Sequence, residues 1–214
     1  MKKLLLAATL LAGAANAELV TKPTNAADLF DFADASRYIV RMRALMVNPD
    51  EDSNTSIGGK IQADASITPE VDVTYFFTKN IAAELIAATT KHDMSAVNTT
   101  SGNLDLGDVW LLPPTLTMQY HFCPDSRVRP YAGAGVNYTV FYNENDGGVS
   151  SVEYENGFGT ALQAGVDIGI DEHLAVNFDV KKLYLSTDAK VNGTVTANVD
   201  LDPWIVGAGM AYRF

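Results

Sequence analysis

From Tyr38 onward, apolar residues recur at every second position, which is the period of a β-strand. Tyr38, Val40, Met42, Ala44 and Met46 make the first run, and Val71, Val73, Tyr75 and Phe77 the second. Six more follow within 81–87, 112–122, 132–140, 162–170, 174–180 and 204–214. Each is close to the roughly 9–11 residues that a tilted strand needs to cross a bilayer. The connections alternate as well. Those at 78–80, 123–127 and 171–173 are short, whereas 48–66, 91–109, 142–156 and 186–200 are long and polar. Strict alternation of short and long links puts every long loop at one end of an up-and-down barrel. The expected fold is therefore all-β, an eight-stranded antiparallel transmembrane β-barrel over 36–214 with short periplasmic turns and long outer loops.

A soluble barrel would carry the same alternation with its apolar set inside. The aromatic residues decide against it. Tyr38, Tyr75, Phe77, Tyr120, Phe122, Tyr212 and Phe214 share the apolar parity, and each falls at the short-turn end of its strand. They form a ring at one level, as an interfacial girdle does. Trp204, with Trp110 and Tyr184, sits toward the other end.

The N-terminus reads as an address. Lys2 and Lys3 precede the apolar stretch 4–11, and Ala15-Asn16-Ala17 is a small-residue cleavage site. This predicts a signal peptide over 1–17, exporting the chain to a bacterial outer membrane. Residues 18–35 would then form a polar periplasmic segment.

Composition changes the picture in three ways. Fifteen Lys and Arg stand against 26 Asp and Glu, a net charge of −11, which offers no footprint for nucleic acid. A lone cysteine, Cys123, excludes a disulfide scaffold. A mean hydropathy of +0.02 looks soluble, yet it is the average of an apolar and a polar parity. Removing the signal takes away two lysines and no acid, leaving a more acidic mature chain.

Several segments resemble one family. Leu112-Pro-Pro-Thr-Leu-Thr-Met-Gln-Tyr-His-Phe122 is similar to the LPPT strand of the outer-membrane protein W (OmpW) family. Arg129-Pro-Tyr-Ala-Gly-Ala-Gly-Val-Asn-Tyr138 is similar to its RPY-x-GAG-x-NY strand. The stretch 80–89, Leu201-Asp-Pro-Trp204 and the terminal Tyr212-Arg213-Phe214 fit as well. The resemblance implies an outer-membrane barrel that takes up small hydrophobic molecules, in a family that includes alkane-uptake relatives.

The opposite parity should line the lumen. At low and middle levels it places Arg41, Arg43, Asp72, Glu84, His121, Asp167, Asp179, Lys181 and Arg213, with Gln119, Asn137 and Gln163 beside them. Four strong bases face four acids, which suits an ion-paired polar floor, because unpaired buried charge is costly. Eight strands leave room for little more than side chains, so an open aqueous pore is not expected. At upper levels the same parity gives Leu45, Val47, Ile86, Leu111, Phe141, Leu183 and Ile205. These make an apolar upper lumen, a candidate ligand pocket, although packing alone would also explain them. Phe158 faces lipid by strict alternation, but family resemblance adds it to Ile86 as a candidate gate. Pro113 and Pro114 donate no ladder hydrogen bond, so they mark a candidate lateral opening through which a ligand would leave into the membrane.

Other signals carry less. His92, His121 and His173 lack metal-ligand spacing, so no metal and no cofactor is expected. The glycines at 133 and 135 read as thinning the lumen rather than cradling phosphate. An enzymatic reading would need His92 with Ser95 or Ser101, and nothing in the pattern joins them. A structural, receptor or adhesin barrel without transport stays open as the alternative function. Expected partners are outer-membrane lipid and lipopolysaccharide, small hydrophobic ligands, and the barrel assembly machinery through the strand ending at Phe214.

Overall fold

The computed structural model describes residues 31–50, 52–55, 60–100, 102–145, 147–148, 151–191 and 195–214. The expected signal peptide and most of the 18–35 segment lie outside the described residues. A 3-10 turn, Ala35–Arg37, is capped by Asp34, whose carboxylate accepts from the Ser36 backbone N–H. In chain order the strands are β1 (Tyr38–Asn48), β2 (Asp52–Thr55), β3 (Lys60–Ala63), β4 (Ser66–Phe76) and β5 (Ile81–Ala88). Then come β6 (Thr90–Thr99), β7 (Gly102–Leu112), β8 (Thr115–His121), β9 (Val128–Asn145) and β10 (Val152–Tyr154). Last are β11 (Gly157–Gly169), β12 (Leu174–Tyr184), β13 (Ser186–Val191), β14 (Val195–Asp200) and β15 (Trp204–Arg213).

Eight of these make the wall, in the order β11-β12-β15-β1-β4-β5-β8-β9, and pairing of β9 with β11 closes it. Closure removes the open edges that a single sheet would present. Every wall pairing is antiparallel. The eight apolar runs therefore coincide with the eight wall strands.

The alternation settles which face is which. Met42, Leu85, Leu116, Leu162, Phe178 and Val206 point outward and are exposed, which is the surface expected against lipid. The lower aromatic ring forms as clusters: Tyr38 on Tyr75, Tyr75 on Phe77, Tyr120 on Phe122 and Tyr212 on Phe214, with centroids 5.0–5.2 Å apart. The preceding segment joins it. Phe32 packs on Tyr75 at 4.9 Å, and its carbonyl accepts from the Tyr38 hydroxyl at 3.0 Å.

The long connections differ from expectation. They are not irregular loops; strand pairing continues through much of them. β6 and β7 prolong the hairpin of β5 and β8, and β3 adds to β6. β10, β13, β14 and β2 form a second four-stranded sheet. Polar Asn, Asp, Ser and Thr disguise these strands, because their backbone groups pair while their outward side chains meet water. The two sheets bury an apolar cluster, including Ile61, Met94, Leu106, Leu185 and Val199, above the membrane-spanning wall.

Candidate functional site

The lumen is layered. At the short-turn end, Ile39, Phe76, Ala82, Ala175 and Ala211 form a small apolar layer. A layer of charge lies above it, and a second apolar layer of Leu45, Val47, Ala161, Leu183 and Ile205 lies above that. The expected polar floor is thus a middle layer, underlain by an apolar plug.

The charged layer centres on the two inward arginines of β1. Arg41 makes two contacts with Asp167, Nη2 to Oδ2 at 2.8 Å and Nε to Oδ1 at 3.2 Å. Its Nη1 reaches Asp72 and Glu84, each at 3.3 Å, and donates to Thr74 Oγ1 at 2.6 Å. Arg43 pairs with Asp72 at 2.6 Å and with Glu70 at 2.5 Å, and lies 3.4 Å from Asp179. Lys181 bridges Asp179 at 2.8 Å and Glu70 at 3.2 Å. Neutral donors fill the remaining acceptor sites. Tyr131 donates its hydroxyl to Asp179 at 2.7 Å, and Gln163 donates to both Glu84 and Asp179. Asn177 donates to Asp167 at 2.8 Å. Charge taken out of water needs this density of partners to persist.

Two corrections follow for that layer. Glu70 belongs to it, although the sequence reading left it out. It lies two residues before Asp72 on the same parity, and that spacing was the available signal; Pro69 immediately before it obscured it. Arg213 does not join the ion-paired cluster. It lies one level lower, with its guanidinium 5.2 Å from the Phe76 ring centroid. His121 is buried, bonds Gln119 at 3.0 Å and stacks on Tyr131. Tyr131 lies along the inner wall over Gly165, where a Cβ would collide with the phenol, and so reaches Asp179 two strands away.

A cavity open to solvent lies above this layer, with about 770 Å³ of empty space that includes the solvent at its mouth. Leu45, Val47, Ile86, Leu111, Phe141, Leu183 and Ile205 all line it, and Glu70 and Lys181 form its base. Phe158 does not. It is 80% exposed on the outer surface and packs on Tyr138 with centroids 4.7 Å apart. Strict alternation was the correct guide there. Sequence reasoning missed Met94, Val109 and His92 as cavity lining, because it assigned 91–109 to a loop, and Leu185 and Leu201, which flank the 186–200 connection. His92 is buried on β6, its Nδ1 2.7 Å from the Asp64 carbonyl and its Nε2 3.1 Å from Thr90 Oγ1.

The wall changes character beside the cavity. β5 and β8 pair up to Ile86 opposite Thr115, and β6 and β7 resume at Thr90 opposite Leu111, in unbroken register. That register sets Ala87 and Ala88 opposite Pro114 and Pro113, with no ladder pairs between them. Ala88 and Pro113 also line the cavity. On the other flank the Tyr138 N–H reaches the Pro114 carbonyl at 3.1 Å. Pro114 returns no N–H.

The OmpW family model matches residues 34–214. An outer-membrane protein of Sinorhizobium fredii is 42% identical to the chain, covering 97% of it and 93% of its own length. Outer membrane protein W of Salmonella typhimurium is 34% identical, covering 85% and 90% respectively. Among solved structures, the crystal structure of OprG from Pseudomonas aeruginosa is similar with a TM-score of 0.77 and 29% identity, covering 83% of this chain and 95% of that one.

Proposed function

The chain belongs to the OmpW family of outer-membrane barrels, and from that premise we propose that it takes up small hydrophobic molecules through its upper lumen and releases them sideways into the membrane. One observation carries this reading: the apolar cavity abuts the place where the wall ladder is interrupted. An apolar concavity with few polar groups suits a greasy ligand. The charged layer and the apolar plug beneath it oppose onward passage to the periplasm, because an apolar ligand would have to displace paired charges. The lowest-cost exit is then the seam. There the side chains are alanine and proline, and few backbone hydrogen bonds have to open, each worth about 0.5–1.5 kcal/mol.

The resemblance to a family with alkane-uptake relatives supports the hydrophobic class of ligand. The test is transfer of a fluorescent hydrophobic ligand into proteoliposome membranes. Replacing both prolines, Pro113→Val with Pro114→Val, restores one N–H donor to the seam at 113 and one toward β9 at 114, and should slow transfer about ten-fold. Unchanged transfer would remove the lateral exit.

A further inference from the structure

Three buried polar atoms stand together on β9 without a hydrogen-bond partner: Asn137 Oδ1, Asn137 Nδ2 and Thr139 Oγ1. Asn137 is 2% exposed and Thr139 0%. The two occupy successive inward positions, two residues apart. Their neighbours explain the lack of partners. Across the β9–β11 pairing they face Gly159 and Gly157, which have no side chain to offer. Asn137 lies directly over Gly159, where an added Cβ would meet its Oδ1. On the other flank Asn137 faces Thr115, whose hydroxyl donates to the Pro113 carbonyl at 2.9 Å. The same register sets Pro113, with no N–H, beside Thr139.

This polar notch lies just behind the cavity wall: Asn137 and Thr139 do not line the cavity themselves, but their neighbours do. Thr115 and Pro113 line the cavity on one side, and Phe141, the next inward residue of β9, lines it above. The notch therefore stands at the level of the interrupted seam. A buried amide and hydroxyl left unmet bear the full cost of their desolvation. A ligand that supplies the missing partner recovers that cost.

We propose that Asn137 and Thr139 hydrogen-bond the single uncharged polar group of an amphipathic substrate whose apolar part fills the cavity. The inference rests on the uptake reading and narrows its substrate class. Asn137 offers a donor and an acceptor, and the Thr139 hydroxyl offers both, so an alcohol, ketone or amide is matched. A carboxylate is not. Lys181, the cation lining the cavity among the described residues, is already held by Glu70 and Asp179. Glu70 at the cavity base repels a second anion. A bare hydrocarbon fits the cavity but leaves the notch unmet.

The full-length protein, labelled with ¹⁵N in lipid nanodiscs, would be titrated with 1-decanol, decane and decanoate. Affinities are corrected for partition into the bilayer. Decanol should shift the Asn137 side-chain amide resonances in a saturable way and bind about ten-fold more tightly than decane, with decanoate weakest. Thr139→Val, nearly isosteric, should narrow the preference for decanol, and Asn137→Leu with Thr139→Val should abolish it. Equal affinity for decanol and decane, or a preference that persists in both variants, would overturn the notch while leaving hydrophobic uptake intact. Unmoved Asn137 resonances in the presence of bound decanol would overturn it too, as for a notch that holds only water. Failure of all three compounds to bind would overturn the uptake reading along with it.

Discussion

Arg41 shows how much one residue can organise in this lumen. Its guanidinium meets three carboxylates from three other strands, Asp72, Glu84 and Asp167. Replacing it by leucine removes the shared partner and leaves these acids crowded in a dry layer. Arg41→Leu should destabilise the barrel by about 3–5 kcal/mol, read from urea unfolding in detergent micelles. Gly165 acts through shape instead. Gly165→Val would push Tyr131 off the wall above it and away from Asp179, at a cost of about 1–3 kcal/mol. Phe158 supplies the opposite case. Because it faces outward, Phe158→Ala should leave ligand transfer within about two-fold of the wild type, whereas Leu183→Asp in the cavity wall should reduce it at least ten-fold; both are read in the proteoliposome assay. At the turn, the Asp171 carboxylate accepts from the backbone N–H groups of Leu174 and His173, which holds it below its ordinary value of 3.8. Its contribution to the turn is present at neutral pH and is lost as pH falls through that lowered value. A carboxyl ¹³C titration with its midpoint above 3.8 would contradict this.

At the scale of elements, the seam between β5–β6 and β7–β8 matters most. The two ladders share one register above and below the prolines, so the interruption is local and not a slip of pairing. A local defect in a continuous hairpin can open without unfolding the strands around it. Bulk at the seam should then block exit while leaving the cavity open from outside. Ala87→Trp, on the outward parity, is expected to slow transfer at least five-fold with little loss of ligand binding, measured by equilibrium quenching of the same fluorescent ligand. Equal loss of both would point to damage of the cavity itself. The upper strands explain where periodicity failed as a guide. In β13 and β14, polar residues such as Asp188, Lys190 and Asn198 alternate with small apolar ones. The two strands pair with each other as a hairpin, but their outer partners, β10 and β2, come from other long connections, and no single segment reveals that.

At the scale of the whole molecule, the layers along the lumen decide what passes. Among the described residues, a small apolar layer, a dense ion-pair layer and an apolar cavity stand in series and oppose a water-filled path. Planar bilayers carrying the protein should show no steady ionic current; a stable conducting pore in the wild type would contradict the layering. Much of this was legible in the chain. Alternation at Met42 or Leu85 fixes an outward face, and the inward parity of Arg41, Asp72 and Glu84 fixes a charged interior, because neither residue class is stable on the other side. The number of strands and the order of short and long links follow from the same period. The pairing of these charges across the lumen did not follow, since Arg41 and Asp167 stand 126 residues apart and meet only when the last wall strand, β15, pairs with the first, β1, and closes the ring. Nor did the separation of Arg213 from the cluster, the sheets built from polar connections, or the unmet amide of Asn137. Sequence period sets which way each side chain points, because a strand turns over every residue. Only closure of the wall sets which side chains meet, because partners in a barrel are chosen by register and curvature, which no local stretch of chain encodes.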